Sequence, residues 1–180
     1  WLFTKFNPAI FWYGKSFLNF MNWILKKFKD LTPFELYAIL QLRNEVFAVE
    51  QNCVYPDMDN KDQLSFHLMG WSNDPPGPAG EIPLKQQEKL AAYTRIIPPG
   101  IAYKEPSIGR VVTAGLIRGT GAGRELMERS VQAAYELFGK LPVRIGAQLY
   151  LLSFYSSLGF TQTSEVYLED GIEHIEMILY

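Results

Sequence analysis

The sequence predicts a domain of the α/β class, α+β in type: a mixed, mostly antiparallel sheet of six to seven strands with a parallel pair in its middle and helices against it. Three observations carry this reading. Short β-branched and aromatic runs interleave with amphipathic stretches in the order β-α-β-β-β-α-β-α-β-β. A long helical stretch joins the strand-like runs 107–113 and 143–148, and parallel neighbours need a connection of that length. Near the end, Asp170-Gly171 divides two further runs, which is a strong hairpin signal.

Asn22 to Phe28 reads as the first strand. Thr32-Pro33-Phe34-Glu35 then starts a helix: Thr32 caps it, Pro33 takes the first helical position, and Glu35 reaches back to close a capping box. Leu36, Ile39, Leu40, Arg43, Val46 and Phe47 follow at helical spacing, and Arg43 within that stripe requires a polar partner. Residues 50–64 are irregular and acidic. Asp57-Met58-Asp59-Asn60-Lys61-Asp62 has a superficial likeness to a calcium loop, but Lys61 occupies a ligand position, the turn glycine is absent, and Leu68 stands where the bidentate glutamate belongs. Ser65 to Trp71 and Lys89 to Ile97 read as strands, separated by a loop with Pro75, Pro76, Pro78 and Pro83. After the strand Ser107 to Thr113 comes a helix from Gly121 to Phe138, with Leu126, Met127, Val131, Ala134 and Phe138 on one face. Val143 to Gln148 is a strand, Leu151 to Ser157 a short helix closed by Gly159, and Phe160 to Glu169 with Ile172 to Leu179 the final hairpin.

At 180 residues, 48% of them apolar and 20% charged, the chain suits one soluble globular domain. A net charge of −2 argues against a general electrostatic grip on nucleic acid or anionic lipid. Cys53 is the single cysteine, so no intrachain disulfide can form and a reducing, cytoplasmic setting is expected. With two histidines beside it, the usual zinc frameworks are excluded. Residues 1–20 are aromatic-rich but interrupted by Lys5, Pro8 and Lys15, with no apolar span long enough to cross a bilayer. They read as a peripheral extension to a domain at 21–180, or as upstream reading frame foreign to the native protein. An interfacial membrane helix is the alternative.

Arg118-Gly119-Thr120-Gly121-Ala122-Gly123 lies where a strand turns into the long helix. Such a corner leaves several backbone N–H groups without intrahelical partners, all aimed one way, and so makes an anion cradle. Phosphate is the usual guest, and Arg118 adds a forked cation at the rim. The glycine spacing is not that of the dinucleotide fingerprint, and no P-loop lysine follows. A plain strand–helix turn is the competing reading. A basic patch of Arg110, Arg118 and Arg124 would suit a small polyanion better than a duplex.

Phe154-Tyr155-Ser156-Ser157-Leu158-Gly159-Phe160 follows at a telling interval. Together with Arg118-x-x-Gly121-x-Gly123 and the element order, it resembles the GNAT superfamily of acetyl-CoA-dependent N-acetyltransferases. Leu42-Arg43-x-x-Val46-Phe47-x-Val49-Glu50-Gln51-Asn52-Cys53 and Glu165-Val166-Tyr167-x-Glu169-Asp170-Gly171-Ile172-x-His174-Ile175 are similar to its ElaA-like subgroup. The resemblance covers residues 21–180. It implies a splayed central strand pair and transfer of acetyl from acetyl-CoA to the amine of a small-molecule acceptor by direct attack. It implies no metal, nucleic acid or membrane partner, and a monomer or homodimer. A non-catalytic acyl-CoA-binding module of the same fold is the alternative.

On this resemblance the amides of Gly119, Thr120, Gly121, Ala122, Gly123 and Arg124 cradle the pyrophosphate of coenzyme A. Val111, Val112 and Thr113 offer edge groups to the pantetheine arm, and one N–H, assigned to Val112, polarises the thioester carbonyl. Tyr155 matches the family's tyrosine acid at the departing sulfur, with a packed aromatic as the bland reading. Gln148 stands where relatives often place a cofactor-contacting asparagine. For the base the candidates are Glu50, Glu165, His174 and Glu176, with His67 more remote; many relatives use a water chain instead. His174 shares a strand face with Glu176 and has the side-chain chemistry for proton removal near neutrality. Arg43 and Glu50 read equally well as an ion pair beneath the acceptor cleft.

Overall fold

In a computed structural model, which describes residues 21–52, 55–73 and 88–180, the sheet is built outward from one diverging pair of strands. Residues 1–20, Cys53 and most of the proline-rich loop lie outside the described residues. β1 (Met21–Lys27), β2 (Phe66–Asn73), β3 (Glu88–Ile97) and β4 (Ser107–Thr113) run antiparallel in succession. β5 (Val143–Gln148) is parallel to β4, but the two share one bridge, Ser107 opposite Arg144, before they part. β8 (Ile172–Leu179) lies antiparallel to β5 on one side and takes β6 (Thr161–Gln162) and β7 (Tyr167–Glu169) on the other. The order β1-β2-β3-β4-β5-β8-β6 is the mostly antiparallel sheet with a splayed parallel centre that was expected.

The closing hairpin differs from expectation. Phe160 to Glu169 is not one strand but two short pieces, so among the described residues the sheet has eight strands rather than six to seven. Its cause is Ser164. The N–H of Glu176 donates to the Ser164 hydroxyl at 2.8 Å, while the Glu176 carbonyl accepts from Thr163 N–H at 2.8 Å. A side-chain oxygen thus replaces a ladder carbonyl, and residues 163–166 bulge out. Asp170 (φ +50°) and Gly171 (φ +81°) make the expected tight turn, with both central residues left-handed.

α1 (Pro33–Arg43) opens with the predicted capping box: Thr32 Oγ1 accepts from Glu35 N–H at 3.2 Å, and Glu35 Oε2 accepts from Thr32 N–H at 2.8 Å. Beyond Arg43 the helix widens into a π-type turn over Asn44–Glu50, with Gln51 N–H bonded to the Val46 carbonyl at 3.0 Å. α2 (Ala122–Phe138) crosses from β4 to β5, and α3 (Leu152–Ser156) follows β5. Because strand side chains alternate, the sheet has two cores. α2 and α3 cover Ile96, Ile108, Ile145 and Met177, whereas α1 covers Met69, Tyr93 and Val112. Leu126, Met127 and Ala134 of α2 are buried as expected, but Val131 and Phe138 sit at the margin. Ser130 takes an inner place because its hydroxyl donates to the Leu126 carbonyl and bonds Thr94 Oγ1, each at 2.7 Å.

Candidate active site

A cleft of about 840 Å³ opens where β4 and β5 part, lined by Val111, Val112, Thr113, Arg118, Gln148, Tyr155 and His174 among others. Its β4 wall is irregular. Val112 faces Tyr93 but Gly109 faces Arg95, so β4 carries an extra residue, and Arg110 adopts a left-handed φ of +52°. Ala114 N–H bonds the Ala91 carbonyl at 2.7 Å, which sets the phase of the ladder. By antiparallel alternation Val112 is the next residue bonded to β3, and the main-chain groups of Val111 and Thr113 turn into the cleft. The Thr113 carbonyl agrees, since it accepts from Arg118 Nε and Nη2 at 3.2 and 3.0 Å. Val112 therefore lines the cleft with its side chain, while its N–H, expected to face the thioester, points to Tyr93.

Four residues beyond Arg118, which lines the cleft, α2 begins. Gly121 is its cap residue at φ +96°, no side chain caps the helix, and Glu125 N–H returns to the Gly121 carbonyl at 3.1 Å. The amides of Ala122, Gly123 and Arg124 precede that first helical bond and have no intrahelical partner. A Cβ on Gly123 would meet nothing within 4 Å. Glycine inside a helix costs about 1 kcal/mol relative to alanine, and among the described residues no neighbour demands it here. The corner thus has donors aimed outward and room that a side chain would fill, which fits a diphosphate. Arg124 ties the corner to α3, donating from Nη2 to Ser157 Oγ at 2.6 Å.

Tyr155 is buried inside the cleft, packed edge-on to Phe154 and Phe160. Burial first, and Tyr150 second, push its phenol well above the ordinary range, so it keeps its proton. Of the base candidates, His174 alone lines the cleft. Its Nδ1 lies 2.9 Å from the Ile172 carbonyl, which can only accept, so the neutral ring takes the tautomer with its proton on Nδ1 and its lone pair on Nε2. The ring stacks on Tyr167 at 6.0 Å. Glu176 is held by Arg144 at 2.8 Å, and Glu165 is exposed away from the cleft. His67 is fully buried, bonded to Tyr93 Oη at 2.8 Å and to the Asp62 carbonyl at 3.0 Å, and burial lowers its pKa. It is a neutral core residue. Gln148 Nε2 faces Gln51 Oε1 at 3.5 Å.

The charge pairing departs from expectation. Glu50 pairs with Arg118 at 2.6 Å rather than with Arg43. Arg43, with no exposed surface, donates to Asp57 at 2.8 Å and to both oxygens of Asp62 at 3.0 Å. Arg95 reaches Asp59 at 2.6 Å and Asp62 at 2.9 Å, and Arg110 reaches Asp57 at 2.8 Å. The proposed basic patch therefore does not form, because Arg110 is spent on Asp57. The acidic loop is no solvated calcium mimic either; it is a clamp on three guanidiniums. Burial alone would raise the Asp59 carboxyl, but the bonded Arg95 guanidinium, with Arg110 nearby, carries it well below the usual carboxylate range. Reading Arg43 alone could not reveal this cluster. The usable signal was that Arg95 and Arg110 also interrupt strand positions, matching three aspartates in one loop.

The family model for the acetyltransferase (GNAT) domain matches residues 79–180. The chain belongs to the GNAT acetyltransferase family, and so has the acetyltransferase activity that this family defines. It is an ElaA-like member. A UPF0039 protein of Synechocystis sp. is 40% identical over 158 residues, 88% of this chain and 94% of its own length. The crystal structure of an acyl-CoA N-acyltransferase from Pseudomonas aeruginosa superposes with a TM-score of 0.77 at 42% identity, covering 89% of this chain and 99% of that one. Escherichia coli ElaA superposes with a TM-score of 0.76 at 36% identity over the same shares. Among the described residues no helix is long and apolar enough to cross a membrane.

Proposed function

We propose that this chain moves the acetyl group of acetyl-CoA to the amine of a small acceptor by direct attack in the cleft between β4 and β5. The observation that carries the reading is the uncapped start of α2 beside that cleft, with Tyr155 buried inside it. The amides of Gly119 to Arg124 would hold the pyrophosphate, with Arg118 released from Thr113 and Glu50 to join them. Val111 and Thr113 would pair with the pantetheine amides as an added strand does. An N–H at the bulge, that of Val111, would stabilise the charge developing on the thioester oxygen. Such a donor is typically worth about 3–4 kcal/mol.

His174 Nε2 would take the proton from the attacking amine, and Tyr155 would give one to the departing sulfur. Gln148, beside His174 in the β5–β8 pairing, would orient the cofactor or the acceptor. Glu50 is better placed to restrain Arg118 than to act as a base, because its carboxylate is taken up by that guanidinium and does not line the cleft. Tyr155→Phe tests the assignment: acetyl-CoA binding measured by calorimetry should hold while transfer falls about 10²–10⁴-fold. Transfer at the parental rate would remove Tyr155 from the mechanism.

A further inference from the structure

We propose that the acceptor carries a second cationic group, held over Gly146 by the hydroxyls of Tyr103 and Tyr167 and drawn there by the longer-range field of Glu169. This names a substrate class for the acetyl-transfer reading and rests on it.

Gly146 lies in the middle of β5, opposite Glu176, and is exposed on the same sheet face as His174. A Cβ built there would meet the Tyr103 hydroxyl at 3.5 Å and the Tyr167 hydroxyl at 3.6 Å. Those are ordinary contacts, so the protein's own packing admits alanine. Glycine in a strand interior weakens the strand and often marks the close approach of something else. Here two hydroxyls converge on the same spot.

The charges say what would approach. Among the described residues, every arginine and lysine lining the cleft is spent: Lys61 on Asp59, Arg95 on Asp59 and Asp62, Arg110 on Asp57, Arg118 on Glu50. Arg144, beneath Tyr103, is held between Glu105 and Glu176. Glu169 and Asp170 line the cleft too, and among the described residues they have no cationic partner. The surroundings of Tyr167 register this field: burial, then Tyr103, Glu169 and Glu176, push its phenol up to about 12.

A separate observation points to a ligand. Ser107 Oγ is buried, lines the cleft on β4 opposite Arg144, and has no hydrogen-bond partner among the described residues. A buried hydroxyl without a partner is costly unless something outside the protein supplies one. Tyrosines beside carboxylates are the surroundings that favour an alkylammonium. Gly146 is two residues along β5 from Gln148, the cross-strand partner of His174, which is about 7 Å at the rise of a strand. A short α,ω-diamine has that spacing: one amine at His174, the other over Gly146.

The test uses the full chain with 1,5-diaminopentane, pentylamine and 5-aminopentanoate. Two readouts are taken for each: thiol release from acetyl-CoA, and calorimetric binding to the CoA-loaded protein. The diamine should exceed pentylamine by about tenfold in kcat/KM and in affinity, with 5-aminopentanoate below both. Glu169→Gln, at an exposed position, should shrink the diamine's advantage through KM. Gly146→Val should block diamine binding while CoA binding persists. Equal handling of diamine and monoamine, or an advantage untouched by Glu169→Gln, overturns the proposal while leaving acetyl transfer standing. The converse outcome, selective diamine binding with no thiol released from acetyl-CoA by any amine, would uphold the subsite and sink the transfer reading.

Discussion

The glycine corner at 119–124 and the cluster around Arg43 border the same cleft, yet they treat charge in opposite ways. At the corner the groups are backbone amides, which no side chain among the described residues caps. In the cluster they are side chains of Arg43, Arg95 and Arg110, matched by Asp57, Asp59 and Asp62 and turned inward. An anion site must keep its donors unmet until the ligand arrives. A support must have them met already, because an unpaired buried charge costs several kcal/mol. The corner should therefore answer to ligand and the cluster to stability.

Arg43→Met is the largest test of that division. It leaves Asp57 with Arg110 alone and Asp62 with Arg95 alone, and breaking a pair made by a fully buried guanidinium costs up to about 3–5 kcal/mol. The denaturant midpoint should fall accordingly, with acetyl-CoA affinity nearly unchanged at temperatures where the variant is folded. A variant as stable as the parent would mean that the cluster does not hold the fold.

Acid offers the next test, and its sign is set by the aspartates. The carboxyls of Asp59 and Asp62 are both depressed in the folded chain: burial raises them, and the guanidiniums they bond outweigh it. A depressed carboxyl contributes stability above its unfolded pKa, about 3.9. That contribution is lost as pH falls towards the folded value. The thermal midpoint should ease below about pH 6.5, where the unfolded chain protonates His67 and the folded one does not, and drop more steeply below about pH 4. Asp59→Asn should flatten the drop. A midpoint with no steeper fall below about pH 4 would remove the aspartates from the account.

The two regions also differed in how far the sequence exposed them. Backbone geometry follows from local residue types, so Gly119, Gly121 and Gly123 after a strand revealed the corner directly. The capping box at Thr32 and the Asp170-Gly171 turn were readable for the same reason. The cluster depends on residues up to 53 positions apart, as in Arg110 with Asp57, and spacing along the chain carries no sign of that. Thus Arg43 was known to need a partner, but Glu50 was the wrong one. Val112 was misjudged for a related reason. Which N–H faces the cleft depends on the bulge at Arg110, which appears only once β4 is paired with β3. Ser164 broke the last hairpin through a hydroxyl bond that no periodicity encodes.

Gly123→Ala sharpens the contrast because its two effects have opposite signs. Alanine should help the helix by about 0.5–1 kcal/mol. The added methyl group enters the space a phosphate would use, so CoA affinity should drop about tenfold, or about 1.4 kcal/mol. Calorimetry and a thermal scan on one sample read both. If stability and affinity fall together, the glycine serves the fold and the corner loses its claim as a binding device.

The smallest effect is expected at the other end of α1. Thr32→Ala removes the hydroxyl that accepts Glu35 N–H, a loss of about 1 kcal/mol for an exposed cap. Glu35 retains Lys26 at 2.8 Å, and Ile39 and Leu42 stay packed beneath the helix, so the start of α1 frays without detaching. The far end, where Arg43 enters the cluster and the π-type turn leads to Glu50, should not register the change, and kcat/KM should match the parent. A cap loss as costly as that of Arg43→Met would reverse the ranking: α1 would then be anchored by its first turn, and the buried guanidiniums would be passengers on a helix held elsewhere.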